Sequence, residues 1–185
     1  MDYSWYENCN REDNTLQQGD FIPECPIIIP PAILEEGIDV DVDVKNIDSI
    51  VLLQSCDLEH GKIEIVLVCP YLPLTQWLKQ LRPEQQTRGG IKNAIKELQK
   101  GHYPGYHVLN RERGLIEDYQ VVDFKNVYGI NFQFLSNLIS NREERIRLMP
   151  PYKEHLSQAF ARYFMRVGLP QDLRIDDGDF WPLNE

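Results

Sequence analysis

Two apolar segments decide the fold of this chain, and both lie in the stretch SIVLLQSCDLEHGKIEIVLVCP, residues 49–70. Residues 49–54 form a short apolar run bounded by polar residues, which predicts a buried strand. Residues 62–69 are rich in Ile and Val and predict the next strand. His60-Gly61 offers a turn between the two segments, so the stretch predicts an antiparallel hairpin that Pro70 ends.

The sequence before this hairpin predicts less regular structure. Residues 1–17 are polar and are interpreted as an N-terminal arm. Ile27-Ile28-Ile29 lies between prolines, which limit it to an edge strand. Residues 38–44 alternate strictly between Ile or Val and Asp, which predicts a half-buried strand with an acidic outer face formed by Asp39, Asp41 and Asp43.

Downstream of the hairpin, residues 75–101 predict a pair of short helices, with Thr75 as a cap and Gly89-Gly90 as their separator. Strands are predicted at 106–109, 118–130 and 145–148, with a short helix over 132–139. The clearest helix follows Pro150-Pro151, carries one apolar stripe and stops at Gly168. The sequence therefore predicts one mostly β, α+β domain over 18–170, a helical insertion at 75–101 and an acidic C-terminal tail at 171–185.

Charge is distributed unevenly along the 185 residues, whose formal net charge is −10. Residues 1–60 carry 14 acidic and 2 basic side chains, whereas residues 79–113 carry eight basic and three acidic ones. The acidic total argues against a uniformly basic nucleic-acid coat and leaves room for a local cationic site.

In one interpretation RNA or an acidic protein partner binds six cations of the insertion, namely Lys79, Arg82, Arg88, Lys92, Lys96 and Lys100. For RNA, the rings of His102, Tyr103, Tyr106 and His107 lie close to these cations in the sequence. In the alternative interpretation the cations form a solvated helical face and the rings pack in the core.

Several protein classes are disfavoured by composition. No apolar run is long enough to span a membrane, and the start of the chain is acidic and aromatic, unlike a signal peptide. The four cysteines are widely spaced, so we expect reduced thiols in a cytoplasmic protein. A metal site would require Cys25, Cys56, Cys69 and His60 to converge without any paired spacing, and we expect neither a metal nor a cofactor.

The densest polar cluster follows the first strand of the hairpin. In one interpretation Cys56 is a nucleophile tuned by Asp57 and by His60, or by His107 from another strand. In the alternative interpretation Cys56 packs in the core, Asp57 caps the turn through backbone N–H groups, and His60 sits at the hairpin tip.

The order of these parts resembles the MazF/PemK-like toxin family. The matching pieces are Gly19–Ile22, Ile50–Ser55, Ile65–Pro70, Tyr106–Leu109 and Tyr119–Val127. The chain also resembles a group of uncharacterised bacterial proteins that share the stretch Gln54-Ser55-Cys56-Asp57-Leu58 and the C-terminal helix. The resemblance implies an SH3-like or MazF-like β-barrel with an inserted helical pair and a packed C-terminal helix.

Two departures from that family bear on function. The family places Arg just before the first buried strand and Thr or Ser just after the Pro of the second, where this chain has Asp48 or Ser49 and Tyr71-Leu72. An arginine would stabilise charge developing on a scissile phosphate, and an aspartate would repel it. We therefore expect a binding or regulatory protein of a toxin–antitoxin or defence system that acts through a protein partner, with a homodimer as one assembly. The alternatives are an RNA-cleaving enzyme that uses the basic region with His107 and Cys56-Asp57, and a cysteine-dependent enzyme at Cys56-Asp57.

Overall fold

The computed structural model describes residues 4–33, 37, 41–59 and 63–165 of the chain. Within these ranges the fold is mixed α+β with more sheet than helix, which confirms the predicted class. The strands are β1 (Tyr6–Asn10), β2 (Phe21–Ile29), β3 (Asp43–Val51), β4 (Ile65–Pro73), β5 (Tyr106–Leu109), β6 (Gln120–Asp123), β7 (Tyr128–Asn131) and β8 (Glu144–Leu148). The helices are α1 (Ser55–Glu59), α2 (Leu74–Leu78), α3 (Arg88–Gln99), α4 (Phe132–Ser140) and α5 (Tyr152–Phe164), with a 3₁₀ turn at Pro83–Gln85.

The strands form two open antiparallel sheets. One has the order β2-β3-β4-β6-β5 with β7 also paired to β4, and the other consists of β1 and β8. The predicted hairpin is confirmed, because Ser49 pairs with Pro70 and Val51 with Val68. The connection between the two strands contains the five-residue helix α1, and the predicted turn at His60-Gly61 lies outside the described ranges.

Strand β4 changes neighbours along its length. Its first part pairs with β7 through Ile65–Val68, and its second part pairs with β6 through Tyr71–Pro73. The single strand expected over 118–130 is therefore wrong: it is two strands. The carboxylate of Asp123 accepts hydrogen bonds from the Lys125 N–H and the Asn126 side chain, which stabilises a turn between them.

The N-terminal segment belongs to a sheet rather than to a loose arm. Strand β1 pairs along its whole length with β8, and the side chains of Tyr6, Cys9 and Leu16 are buried. A bridge between Asp20 and Arg147 then connects β8 to the start of β2. The sequence of β1 does not predict a strand, because most of its residues are polar and only Tyr6 and Cys9 are buried.

The acidic alternating segment is only partly a strand. Strand β3 begins at Asp43, and residues 38–40, including Asp39, lie outside the described ranges. Val42 and Val44 are exposed, so the predicted half-buried face is wrong at these positions. The reason is that β4 pairs only with Ser49–Val51, which leaves the first part of β3 covered by β2 alone.

The helical insertion is confirmed between β4 and β5, although its caps differ from those predicted. Thr75 caps no helix and instead donates a hydrogen bond to Asp118. Helix α3 begins one residue after Thr87, whose hydroxyl accepts from the Gly90 N–H at 3.1 Å. Gly90 therefore lies in the first turn of α3, where a Cβ atom would come within 2.3 Å of the Gln85 carbonyl oxygen.

Three hydrophobic clusters hold the elements together. The insertion packs through Trp77, Ala94 and Leu98 onto Val121 of β6. Helix α5 buries Leu156 and packs onto the cluster that contains β1, β6 and β8. Gly168, the predicted stop of this helix, and the acidic tail 171–185 lie outside the described ranges.

No helix among the described residues is both long enough and apolar enough to cross a membrane.

Candidate functional sites

The predicted nucleophile lies at the start of α1. Cys56 is exposed, and its Sγ lies 3.7 Å from Gln54 Oε1 and 3.9 Å from Asp57 Oδ1. Cys56 borders a cavity of about 400 Å³ together with the first half of α5, whereas His60 lies outside the described ranges. Lys153, a cation of α5, also lines this cavity.

The second predicted catalytic residue, His107, lies in a different place. It stacks on Phe124 and lines a cavity of about 340 Å³ with Lys100 and Arg162. Burial, followed by the nearby His155 and Arg162, lowers the pKa of His107 to about 4. The imidazole is therefore neutral near pH 7, and the described geometry does not bring it into the cavity of Cys56.

The predicted binding cations lie on the outside of the insertion. Lys92 and Lys96 occupy the face of α3 opposite to the buried Ala94 and Leu98. All six predicted side chains are exposed, namely those of Lys79, Arg82, Arg88, Lys92, Lys96 and Lys100.

The aromatic side chains beside these cations belong to the core of the insertion. The rings of Tyr103 and Tyr106 pack edge-on against Trp77, with centroids 5.6 and 5.5 Å away. Glu97 contacts two neighbouring side chains, since its carboxylate lies 2.6 Å from His102 Nδ1 and 3.8 Å from Lys100 Nζ. The rings of Tyr103 and Tyr106 are therefore engaged in packing and are not presented beside the exposed cations for stacking with a base.

Asp48 and Tyr71, two residues on which the expected departure from the MazF/PemK-like pattern rests, lie close to each other. Asp48 Oδ1 accepts a hydrogen bond from the Glu24 N–H at 2.8 Å, which holds its carboxylate in place. Burial raises the pKa of Tyr71, and the Asp48 charge raises it further.

One charged group that the sequence reading missed is the buried charge cluster of Asp20, Arg145 and Arg147. Asp20 is fully buried, and its carboxylate accepts from Arg145 Nε at 3.1 Å and from Arg147 Nε at 2.6 Å. It also accepts from the Gln17 N–H. The available signal was the spacing i, i+2 of Arg145 and Arg147, which places both side chains on one face of the strand, with Ile146 and Leu148 on the other face.

The surroundings of this cluster satisfy its remaining donors. Both arginines donate to the Thr15 carbonyl, and Arg147 Nη1 lies 2.7 Å from Asp13 Oδ2. Burial opposes ionisation of Asp13, but its hydrogen bonds with Thr15 and Arg147 outweigh that effect and hold its pKa well below the usual range. Burial raises the pKa of Asp20, while both guanidinium groups oppose the shift. Each nitrogen of the two guanidinium groups thus has a partner among residues 13–20, and the cluster connects that segment to β8.

A cavity of about 380 Å³ was also not foreseen. It lies between the starts of β2 and β8 and the loop over 110–118, and Gln120 of β6 reaches it. We call it the Gln120 cavity.

Metal ligands are not gathered anywhere in the described ranges, where no group of three or more His, Cys, Asp or Glu side chains could hold an ion. Cys25 and Cys69 belong to different hydrophobic clusters, and Cys56 is exposed.

No family model matches the chain, and no curated protein is significantly similar to it.

Proposed function

We propose that the chain is a non-catalytic, MazF-like binding protein of a toxin–antitoxin or defence system, which acts by holding an acidic protein partner on its helical insertion. The observation that carries this proposal is the exposed row of Lys92, Lys96 and Lys100 on a helix whose other face is anchored in the core. Charge complementarity on a fixed surface favours association and selects the partner.

The cations of the insertion are available for such a contact. Among the six, Lys100 alone forms an ion pair with a described residue, Glu97. Trp77 and Leu98 are almost fully buried beneath the helix, so the surface is held in one orientation before a partner arrives. A preorganised surface loses less entropy on binding than a mobile one.

The absence of catalysis is supported by the two positions that differ from the resembled family. Asp48 places negative charge where phosphate chemistry needs a cation, and the Tyr71 hydroxyl is held protonated by burial. Cys56 and His107 line separate cavities.

The proposed barrel is supported by a contact between the ends of the two sheets. Glu112, which follows β5, accepts hydrogen bonds from the backbone N–H groups of Trp5 and Tyr6 at the start of β1. The Tyr6 hydroxyl also donates to the Asn110 carbonyl. These bonds bring the edge of the larger sheet next to the smaller one, as closure of a small barrel requires.

The experiment is affinity capture from the native cytoplasm with two variants of equal charge loss. We expect Lys92→Gln/Lys96→Gln to lose one acidic protein that the wild type retains, and Arg11→Gln/Lys45→Gln to keep it. All four substituted residues are exposed. Equal loss in both variants would show unspecific charge binding and contradict the proposal. Retention that ribonuclease abolishes would favour RNA as the partner.

An RNA-cleaving enzyme is the second candidate, favoured by one observation. His107, neutral near pH 7, shares its cavity with Lys100 and Arg162, so a base lies beside two cations. Incubation of the purified protein with total RNA tests this candidate. Cleavage that His107→Gln abolishes would establish it, and intact RNA at micromolar protein would exclude it.

A further inference from the structure

The cavity of about 340 Å³ that contains His107 combines two cations with an apolar wall, and we call it the His107 cavity. It lies between the end of α3, β5 and the second half of α5, and its two charged side chains are those of Lys100 and Arg162. No carboxylate of a described residue lines it. Its apolar wall is formed by half-buried side chains, namely those of Trp5, Pro104, Tyr106, Val108 and Ala159.

Both cations of the His107 cavity can accept an anionic group. Arg162 is exposed, and its Nε donates to the Gln158 carbonyl at 3.3 Å within its own helix. No carboxylate of a described residue lies within 4.0 Å of its guanidinium. The side chain of Lys100 is 48% exposed and pairs with Glu97 at 3.8 Å. An exposed ion pair of this kind contributes little to stability, so Lys100 can exchange Glu97 for another carboxylate.

The acidic tail has the complementary chemistry. Residues 176–181 read Asp-Asp-Gly-Asp-Phe-Trp, so three carboxylates precede two adjacent aromatic side chains. The carboxylates match the two cations of the cavity in charge. The rings of Phe180 and Trp181 provide large apolar surfaces that suit its half-buried wall.

The His107 cavity lies next to the end of α5, from which the chain continues to the tail. Arg162 precedes Met165, the last described residue, by three positions, which is about 5 Å along the helix axis. Fourteen further residues lead from Met165 to Asp179, a length of chain that can span up to about 45 Å. A segment tethered so close to a site has a high effective concentration there, so weak ionic and apolar contacts are enough to hold it.

We propose that the acidic tail binds to the His107 cavity of the same chain, with the Trp181 ring on the apolar wall and the carboxylates of residues 176–179 on Lys100 and Arg162. Lys92 and Lys96 do not line this cavity. The contact therefore leaves most of the proposed partner surface uncovered, and it does not depend on that partner.

Zero-length cross-linking of the full chain tests the ionic contact. A water-soluble carbodiimide joins a carboxylate to a lysine amine only where the two groups touch, and the Glu97–Lys100 pair at 3.8 Å is an internal positive control. We expect peptide mass spectrometry to find Lys100 joined to an aspartate of residues 176–179. The proposal is overturned if the Glu97–Lys100 link forms without any link to the tail. It is also overturned if the tail is joined as often to the exposed Lys45 as to Lys100.

Isotope mixing decides whether the contact forms within one chain. Unlabelled protein and protein labelled with heavy nitrogen are mixed in equal amounts and cross-linked together. We expect both peptides of each linked pair to carry the same label. Linked pairs of mixed label at the frequency of random pairing would show that a second copy supplies the tail, and would overturn the proposal.

Fluorine NMR of the full chain labelled with fluorotryptophan tests the aromatic contact. The chain has three tryptophans, and Trp181→Phe identifies the signal of Trp181. We expect Lys100→Gln/Arg162→Gln to move this signal towards its position in urea-unfolded protein. Lys92→Gln/Lys96→Gln is the control of equal charge loss and should leave the signal unchanged. A wild-type signal already at the unfolded position, or an equal shift in the two variants, would overturn the proposal.

Discussion

Two groups of cations in this molecule have opposite surroundings. Arg145 and Arg147 are buried and donate to Asp20, Asp13 and the Thr15 carbonyl. The cations of the insertion, such as Lys92, are exposed and face solvent. Each nitrogen of the two buried guanidinium groups has a partner within the protein, which suits them to a structural role. Among the six exposed cations Lys100 alone forms an ion pair with a described residue, which leaves the others available to a partner.

This difference shows why charge counted along the sequence identifies only one of the two groups. The insertion has a visible excess of positive charge in a continuous segment. Arg145 and Arg147 follow Glu143 and Glu144, so their local charge cancels, and Asp20 lies 125 residues before Arg145. The partners of a charge, rather than its sign, separate a structural role from a binding role.

Removal of Arg147 should have the largest effect on stability. Arg147→Met leaves the Asp20 carboxylate buried with one guanidinium fewer, and we expect the free energy of unfolding to fall by about 3–5 kcal/mol. Urea unfolding measures the change. Lys92→Met is the matched control from the exposed group, and equal losses in the two variants would remove the distinction between the groups.

Protonation of His107 should have the next largest effect on the free energy of unfolding. It tests whether His107, which lies next to the insertion, is shielded from water in the folded protein. The unfolded chain binds this proton near pH 6.5 and the folded chain near pH 4. The contribution of His107 to the free energy of unfolding is therefore fully present above pH 6.5 and is lost as the pH falls towards 4. Below pH 4 this contribution does not change further. The loss is at most about 3 kcal/mol.

His107→Gln isolates this contribution from the titrating carboxylates. Urea unfolding at pH 7 and pH 4.5 should show a smaller loss of stability in the variant than in the wild type. An identical pH dependence of the two proteins would mean that His107 is hydrated in the folded state.

The cap of α3 should have an intermediate effect on the exposed region. Thr87→Ala removes the acceptor for the Gly90 N–H, and we expect a loss of about 1 kcal/mol. Thr75→Ala is the control, because its hydroxyl caps no helix, and it should change stability by less than about 0.5 kcal/mol. A larger loss of stability in Thr75→Ala than in Thr87→Ala would show that the Thr75 hydroxyl stabilises the insertion more than the Thr87 cap does.

The insertion cations should have the smallest effect on stability. Lys92→Gln/Lys96→Gln should shift the free energy of unfolding by less than about 0.5 kcal/mol, since both side chains are exposed. Thermal melts of the variant and the wild type measure this. A loss above about 1 kcal/mol would place these cations with the structural group and weaken the proposed binding role.

The parts of the fold that the sequence predicts are those encoded by neighbouring residues. The hairpin of β3 and β4 follows from two apolar runs, and α5 follows from one apolar stripe between Pro151 and its predicted end. The positions of the insertion cations follow from helical spacing. Each of these signals lies within a window of about twenty residues.

The parts that escaped prediction depend on residues far apart in sequence. Strand β1 forms by pairing with β8, which lies more than 130 residues later in the chain. The Gln120 cavity is lined by residues of β2, β6 and β8 and of the loop over 110–118. Gln120 Oε1 lacks a hydrogen-bond partner because of the residues that surround it in the folded protein, and the neighbouring sequence does not predict this. The relation of Cys56 to His107 likewise required three-dimensional placement.

The buried charge cluster also has a consequence for synthesis on the ribosome. Asp20 emerges 125 residues before Arg145, and translation at about 5–20 residues per second separates them by about 6–25 seconds. During that interval the carboxylate has to stay hydrated, so β2 cannot settle into its final packing around Asp20. The N-terminal third of the nascent chain therefore reaches its final packing only after β8 has been synthesised.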